Sequence, residues 1–81
     1  MEIRELKEIS RGHRAAYLRF SHFPVCNTKS FANGHVVVDI DHCNEVVGIE
    51  LLGAEAGDLE ALARVAREYK LSFDALIYAQ K

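Results

Sequence analysis

Apolar and polar side chains alternate over residues 15–20, with Ala16, Leu18 and Phe20 on one side and Ala15, Tyr17 and Arg19 on the other. That is the period of a half-buried β-strand. Residues 21–24 break the pattern at the chain's one proline, Pro24. A second extended run, 25–31, is polar in its middle at Asn27, Thr28, Lys29 and Ser30, and is followed by Asn33-Gly34. This dipeptide tolerates positive φ at both positions and is a strong hairpin signal. The third run, 35–41, carries Val36, Val38 and Ile40 on one side and Val37, Asp39 and Asp41 on the other, and the fourth, 45–52, groups Val47, Ile49 and Leu51.

A one-residue slip would turn every core side chain outward, so the register can be tested by face. With Asn33-Gly34 as a two-residue loop, Phe31 opposes Val36 and Thr28 opposes Asp39. With Cys43-Asn44 as the next loop, Ile40 opposes Val47 and Val38 opposes Ile49. The apolar faces then coincide, and the expected core is Ala16, Leu18, Phe20, Val25, Phe31, Val36, Val38, Ile40, Val47, Ile49 and Leu51. Asn27 and Lys29 interrupt it, which places their strand at a margin of the core or against a partner.

Residues 53–57 read as a connection, after which Asp58 can cap a helix whose apolar stripe is Leu59, Leu62, Ala63, Ala66 and Tyr69. Ser72 is a second potential cap, followed by the apolar Phe73, Leu76, Ile77 and Tyr78 of a short final helix. The segment 2–11 is open: Ile3, Leu6 and Ile9 suit a helix, and a strand joining the sheet suits them equally. The expected fold class is α+β: a small antiparallel β-meander of about four strands over residues 15–55, packed against C-terminal helix or helices over 58–80, in one domain spanning 1–81.

At 81 residues the chain is one domain with a thin core, since folding at this size buries only about 60% of the unfolded surface. Its 49% hydrophobic and 27% charged residues lie away from the composition of disordered chains. No apolar stretch reaches the roughly 20 residues that span a bilayer, and three glutamates in the first ten residues contradict a signal peptide. Cys26 and Cys43, without an export signal, read as free thiols of a reducing compartment, so the expected location is the cytoplasm. The net charge of −2 divides unevenly: residues 1–30 hold six Lys/Arg against three Asp/Glu, and residues 31–81 hold four against nine. A weakly acidic chain lacks the basic footprint of a nucleic-acid binder.

Three strand segments carry a family resemblance: residues 15–21 (Ala-Ala-Tyr-Leu-Arg-Phe-Ser), 34–41 (Gly-His-Val-Val-Val-Asp-Ile-Asp) and 46–52 (Val-Val-Gly-Ile-Glu-Leu-Leu). In order and spacing they resemble a family of small, mostly prokaryotic proteins, domain of unknown function 2283. The likeness covers about half the chain. It departs where the family has an Asp-Gly turn and this chain has Cys43-Asn44, and it lacks the family's Tyr-Asp-Pro turn after the opening strand. The resemblance implies a small β-meander with a helix and supplies no activity.

The wet face of the expected sheet gathers Tyr17, Arg19, Thr28, Ser30, Asp39, Asp41, Gly48 and Glu50. Tyr17, Arg19, Asp39, Asp41 and Glu50 form the candidate ligand or partner surface, since Asp39 and Asp41 fall two residues apart on one strand face and an arginine stands near them. The plainer reading is an ordinary solvated face with surface ion pairs worth roughly 0 to 1 kcal/mol. His13, His22, His35 and His42 with the two cysteines supply zinc-type donors but at no metal-binding spacing, so no metal and no cofactor is expected. No nucleophile is placed beside a base held by a third group, so no catalytic residue is assigned. Gly48 lies within a strand, which points to a bulge or the close approach of a neighbour. The reading that follows is a non-enzymatic interaction module that self-associates, most simply as a two-fold homodimer, and binds a small protein partner. Phe73, Leu76, Ile77 and Tyr78 are its expected oligomer interface. The alternative is a small-molecule or metal-binding protein, or a minor enzyme, using the polar sheet face.

Overall fold

The structure, a computed structural model, describes residues 4–12 and 15–72. Among these residues seven strands and one α-helix follow in the order β1 (Arg4–Glu5), β2 (Glu8–Arg11), β3 (Ala16–Arg19), β4 (Asn27–Phe31), β5 (Val36–Ile40), β6 (Val46–Leu51), α1 (Ala56–Tyr69) and β7 (Leu71–Ser72). Five strands form one sheet in the order β2-β3-β6-β5-β4 with every neighbour antiparallel, and β1 and β7 pair in parallel beside it. The fold is therefore α+β, a meander packed against a helix. The open choice for the N-terminal segment resolves as strand, because Ile9 opposes Leu18 in the β2–β3 hairpin and adds to the apolar face.

Strands β4, β5 and β6 are the meander proper, and β3 joins it alongside β6. The connection 20–26 must therefore cross the end of the sheet to reach β4. It is tied down on the way: the Phe20 and Ser21 N–H groups both donate to the Val47 carbonyl (2.8 and 3.1 Å), and Cys26 N–H donates to the Ile40 carbonyl (2.8 Å). Val25, expected in the core, lies on this outer path and is exposed.

The first hairpin has the expected register, Phe31 opposite Val36 and Thr28 opposite Asp39, with Asn33 and Gly34 both at positive φ. The second does not. Asp41 N–H donates to the Glu45 carbonyl and Asn44 N–H to the Asp41 carbonyl, with Asn44 left-handed at φ 61°. This is a three-residue loop, 42–44, where the sequence suggested two. The extra residue is absorbed by an irregularity in β6: Val38 still opposes Ile49, but Ile40 opposes Val46 in place of Val47. Val46 thereby joins the core cluster, and Val47, also buried, gives its carbonyl to the crossing connection.

The core cluster is Leu6, Leu18, Phe20, Val36, Val38, Ile40, Val46, Ile49 and Val65, with Phe31, Leu51, Ala61, Leu62 and Tyr69 packed at its edge. Helix α1 covers it with a face that keeps Leu62 and Tyr69 of the expected stripe but is shifted to one side of it. Val65, absent from the expected stripe, is buried, whereas Leu59 is exposed. The helix begins earlier too, with Glu55 as N-cap, and Asp58 sits in the first turn, accepting a hydrogen bond from Glu55 N–H (3.1 Å). Val65 lies three residues after Leu62 and four before Tyr69, so these three share one face and Leu59 falls on its flank. Strand β4 is a sheet edge exposed at four of its five residues, and Lys29 reaches from it to the Tyr69 hydroxyl (3.3 Å) at the far end of the helix. The margin implied by Asn27 and Lys29 is this edge. The expected final helix, with Phe73, Leu76, Ile77 and Tyr78, lies outside the described residues.

Candidate functional site

On the polar face, Tyr17 on β3 and Asp39 on β5 are held on opposite sides of Gly48 on β6, which is paired with Arg19 on one side and Asp39 on the other. The Tyr17 hydroxyl donates to Asp39 Oδ2 (2.8 Å) across the gap, and Thr28 Oγ1 donates to Asp39 Oδ1 (3.0 Å) from β4. A β-carbon on residue 48 would stand 2.1 Å from the Tyr17 hydroxyl oxygen, so the absence of a side chain there is what lets the phenol lie across the strand. The Arg19 guanidinium stacks over the Tyr17 ring at 5.2 Å from its centroid and donates to the Ser21 carbonyl (3.2 Å). Burial first, then the hydrogen bond to Asp39 and its negative charge, with Glu50 adding and Arg19 opposing, push the Tyr17 hydroxyl up to about 12.

Four of the five expected surface residues are thus brought together: Tyr17, Arg19, Asp39 and Glu50, the last paired opposite Tyr17. Asp41 is not among them. It lies one residue beyond β5, where its side chain turns into the loop and is buried. Its Oδ1 accepts from the N–H groups of Cys43 (2.8 Å) and Glu45 (3.1 Å), the arrangement by which an aspartate at the first position of a turn ties the turn to itself. Burial by itself would raise the Asp41 carboxyl. The two backbone donors, Glu45 ahead of Cys43, together with the charges of Arg4 and His42, overcome it and hold the group below the usual carboxylate range.

Two further clusters escaped the sequence reading. Arg4 on β1 donates to the Val46 carbonyl (3.1 Å), pairs with Glu45 through a short contact and stands 3.7 Å from Asp41 Oδ2, a buried oxygen with no hydrogen-bond partner among the described residues. It fastens the N-terminal strand to the second hairpin. At the opposite end of β5, His35 Nδ1 lies 3.0 Å from Asp58 Oδ1, while Asp58 Oδ2 holds Glu55 N–H at the start of the helix. Gly53 is the space that admits this pair: a β-carbon there would meet Asp58 Oδ2 at 2.5 Å. Sequence spacing carries no sign of either contact, since the partners are 41 and 23 residues apart. The one legible hint was Asp58 near a helix start.

Chemically the polar-face cluster is self-contained. Both Asp39 oxygens are engaged by protein hydroxyls, and the Tyr17 hydroxyl stays protonated at ordinary pH. Cys26 and Cys43 are free and exposed, and among the described residues no three His, Cys, Asp or Glu side chains gather in a metal-binding group. Among the same residues no helix is long and apolar enough to cross a membrane. Elsewhere the surface is less closed. Phe23 and Val25, in the crossing connection, are 57% and 49% exposed. Phe23 borders an open cleft of about 940 Å³ between that connection and β1, lined also by Arg4, Glu5, Lys7, Phe20, Ser21, His22 and Glu45. Comparison of the chain with family models, curated proteins and solved structures returns no match.

Proposed function

We propose that this domain is a non-enzymatic interaction module that self-associates, most simply as a two-fold homodimer, and that binds a small protein partner in the cytoplasm. The observation carrying the reading is Phe23, a large apolar side chain 57% exposed at the edge of an open cleft, with the exposed Val25 two residues further along the same connection. Apolar groups that a chain clusters at its surface are best accounted for by a surface that covers them. The sequence adds Phe73, Leu76, Ile77 and Tyr78 as the complementary apolar contribution. Against the rival reading, a ligand or metal site on the polar face, stands the engagement of both Asp39 oxygens by Tyr17 and Thr28. Membership of the family of domain of unknown function 2283 belongs to the same proposal, supported by the strand segments that resemble it.

Light scattering coupled to size-exclusion chromatography at micromolar concentration tests it. The expected mass is about 18 kDa, twice the 9.1 kDa chain. A mass of one chain at every concentration overturns the self-association.

A further inference from the structure

We propose that β4 is the edge along which two copies meet, each adding its β4 to the other's sheet as an antiparallel strand, with the two-fold axis at Thr28. This rests on the self-association reading and names the surface that carries it. Strand β4 ends the five-stranded sheet, its ladder with β5 runs unbroken from Asn27 to Phe31, and four of its five residues are exposed. A regular, proline-free edge is a template for another strand.

The heading of its main-chain groups follows from the bonds around β5. Leu52 N–H donates to the His35 carbonyl (2.8 Å) and Asp41 N–H to the Glu45 carbonyl (2.9 Å), so the odd residues of β5 turn toward β6. The Ile40 carbonyl, which accepts from Cys26 N–H (2.8 Å), turns the even ones toward β4. Asn27, Lys29 and Phe31 therefore bond inward, and Thr28 and Ser30 present N–H and carbonyl groups outward. Thr28 N–H accordingly reaches the Asn27 side-chain oxygen (2.9 Å).

Register follows by elimination. Centred on Lys29, the pairing would oppose the edge's one charge to itself. Centred on Asn27, Ser30 would meet Pro24, which has no N–H to give. Centred on Ser30, Thr28 would meet Ala32, where a φ of 51° takes the backbone out of the strand. Centred on Thr28, Lys29 faces the uncharged Asn27, Ser30 faces Cys26, and the exposed Val25 comes beside Phe31 of the second copy, which packs at the margin of the core. Two-fold symmetry makes each of these contacts twice.

The test uses the full chain. Asn27 is exposed, so its substitutions read the interface and not the fold. Asn27→Asp gives Lys29 of the second copy a carboxylate and is expected to tighten the dimer several-fold by analytical ultracentrifugation. Asn27→Lys opposes two cations and is expected to loosen it several-fold, and both changes should fade in high salt. Ser30→Pro removes an outward donor, spares the ladder to β5, and is expected to keep a cooperative melt while losing the dimer. In a Cys26→Ser/Cys43→Ser background, Thr28→Cys is expected to give a cross-linked homodimer with a short bis-maleimide, and Glu60→Cys, exposed on α1, none. A wild-type dimer indifferent to the charge at position 27 and unlinked through Thr28→Cys overturns the β4 assignment and leaves self-association standing. A wild type that is monomeric at every concentration removes both.

Discussion

The Tyr17 ring lies across Gly48, and its hydroxyl reaches over that residue to the Asp39 carboxylate on the next strand. Three strands are joined on the wet side of the sheet by this one contact, and it exists because position 48 has no side chain.

Gly48→Ala should therefore displace the phenol and destabilise the domain by about 1–3 kcal/mol, the usual cost of forcing a methyl group into a filled site. Tyr17→Phe, which keeps the ring and loses the hydroxyl, should cost only about 1 kcal/mol. Urea unfolding of the two variants checks the order, and a Gly48→Ala protein as stable as the wild type would contradict the close approach.

The same hydroxyl gives a base-side signature. Its folded pKa of about 12 exceeds the ordinary 10.0, so between these values the unfolded chain has lost the proton that the folded one keeps. The Tyr17 contribution is thus fully present below pH 10 and is lost as pH rises through about 12. Tyr17→Phe should flatten this limb of a stability-against-pH curve measured by denaturant unfolding.

Val38 and Asp39 are neighbours on β5 with opposite fates, one fully buried and one on the polar face. Val38→Asp should abolish cooperative unfolding, since an unpaired carboxylate cannot be accommodated in the core. Asp39→Asn keeps an oxygen acceptor and should shift stability by no more than about 1 kcal/mol. Circular dichroism melts separate the two, and an unfolded Asp39→Asn protein would mean that the faces of β5 are reversed.

Arg4→Ala should cost about 2–4 kcal/mol, because it leaves the buried Asp41 without its cation and frees β1 from the second hairpin. Asp41 has a folded pKa below its ordinary 3.8, so its contribution is present above that value and is lost as pH falls through the lower folded one. Asp41→Asn should accordingly be less stable at neutral pH and lose less on acidification. Melting temperatures across the acid range give both readings.

At the other end of β5, Gly53→Ala should push the Asp58 carboxylate off Glu55 N–H and His35 together, at a cost of about 1–2 kcal/mol, similar to losing the helix cap by Asp58→Ala. Non-additivity in the Gly53→Ala/Asp58→Ala double variant, measured by urea unfolding, is the expected result, since both changes remove one contact.

Alternation alone determined a good deal of this protein: Val36, Val38 and Ile40 against Asp39, and the facing pairs Phe31 with Val36 and Val38 with Ile49. These follow from a period of two and from turn residues that tolerate positive φ, and both are local properties of a chain. Tertiary structure decided the rest. Asp41 shares the parity of Asp39, but it left the polar face because a three-residue loop offered its carboxylate two backbone donors, and the bulge at Val46 and Val47 absorbed the resulting shift. Val65, in place of Leu59, completes the buried helix face with Leu62 and Tyr69, a choice made by how the helix docks on the sheet. Strand β3 pairs with β6, and Arg4 with Glu45 and Asp41, through contacts between segments some thirty to forty residues apart. Such choices are settled by which distant surfaces bury each other best, a competition that no local period records.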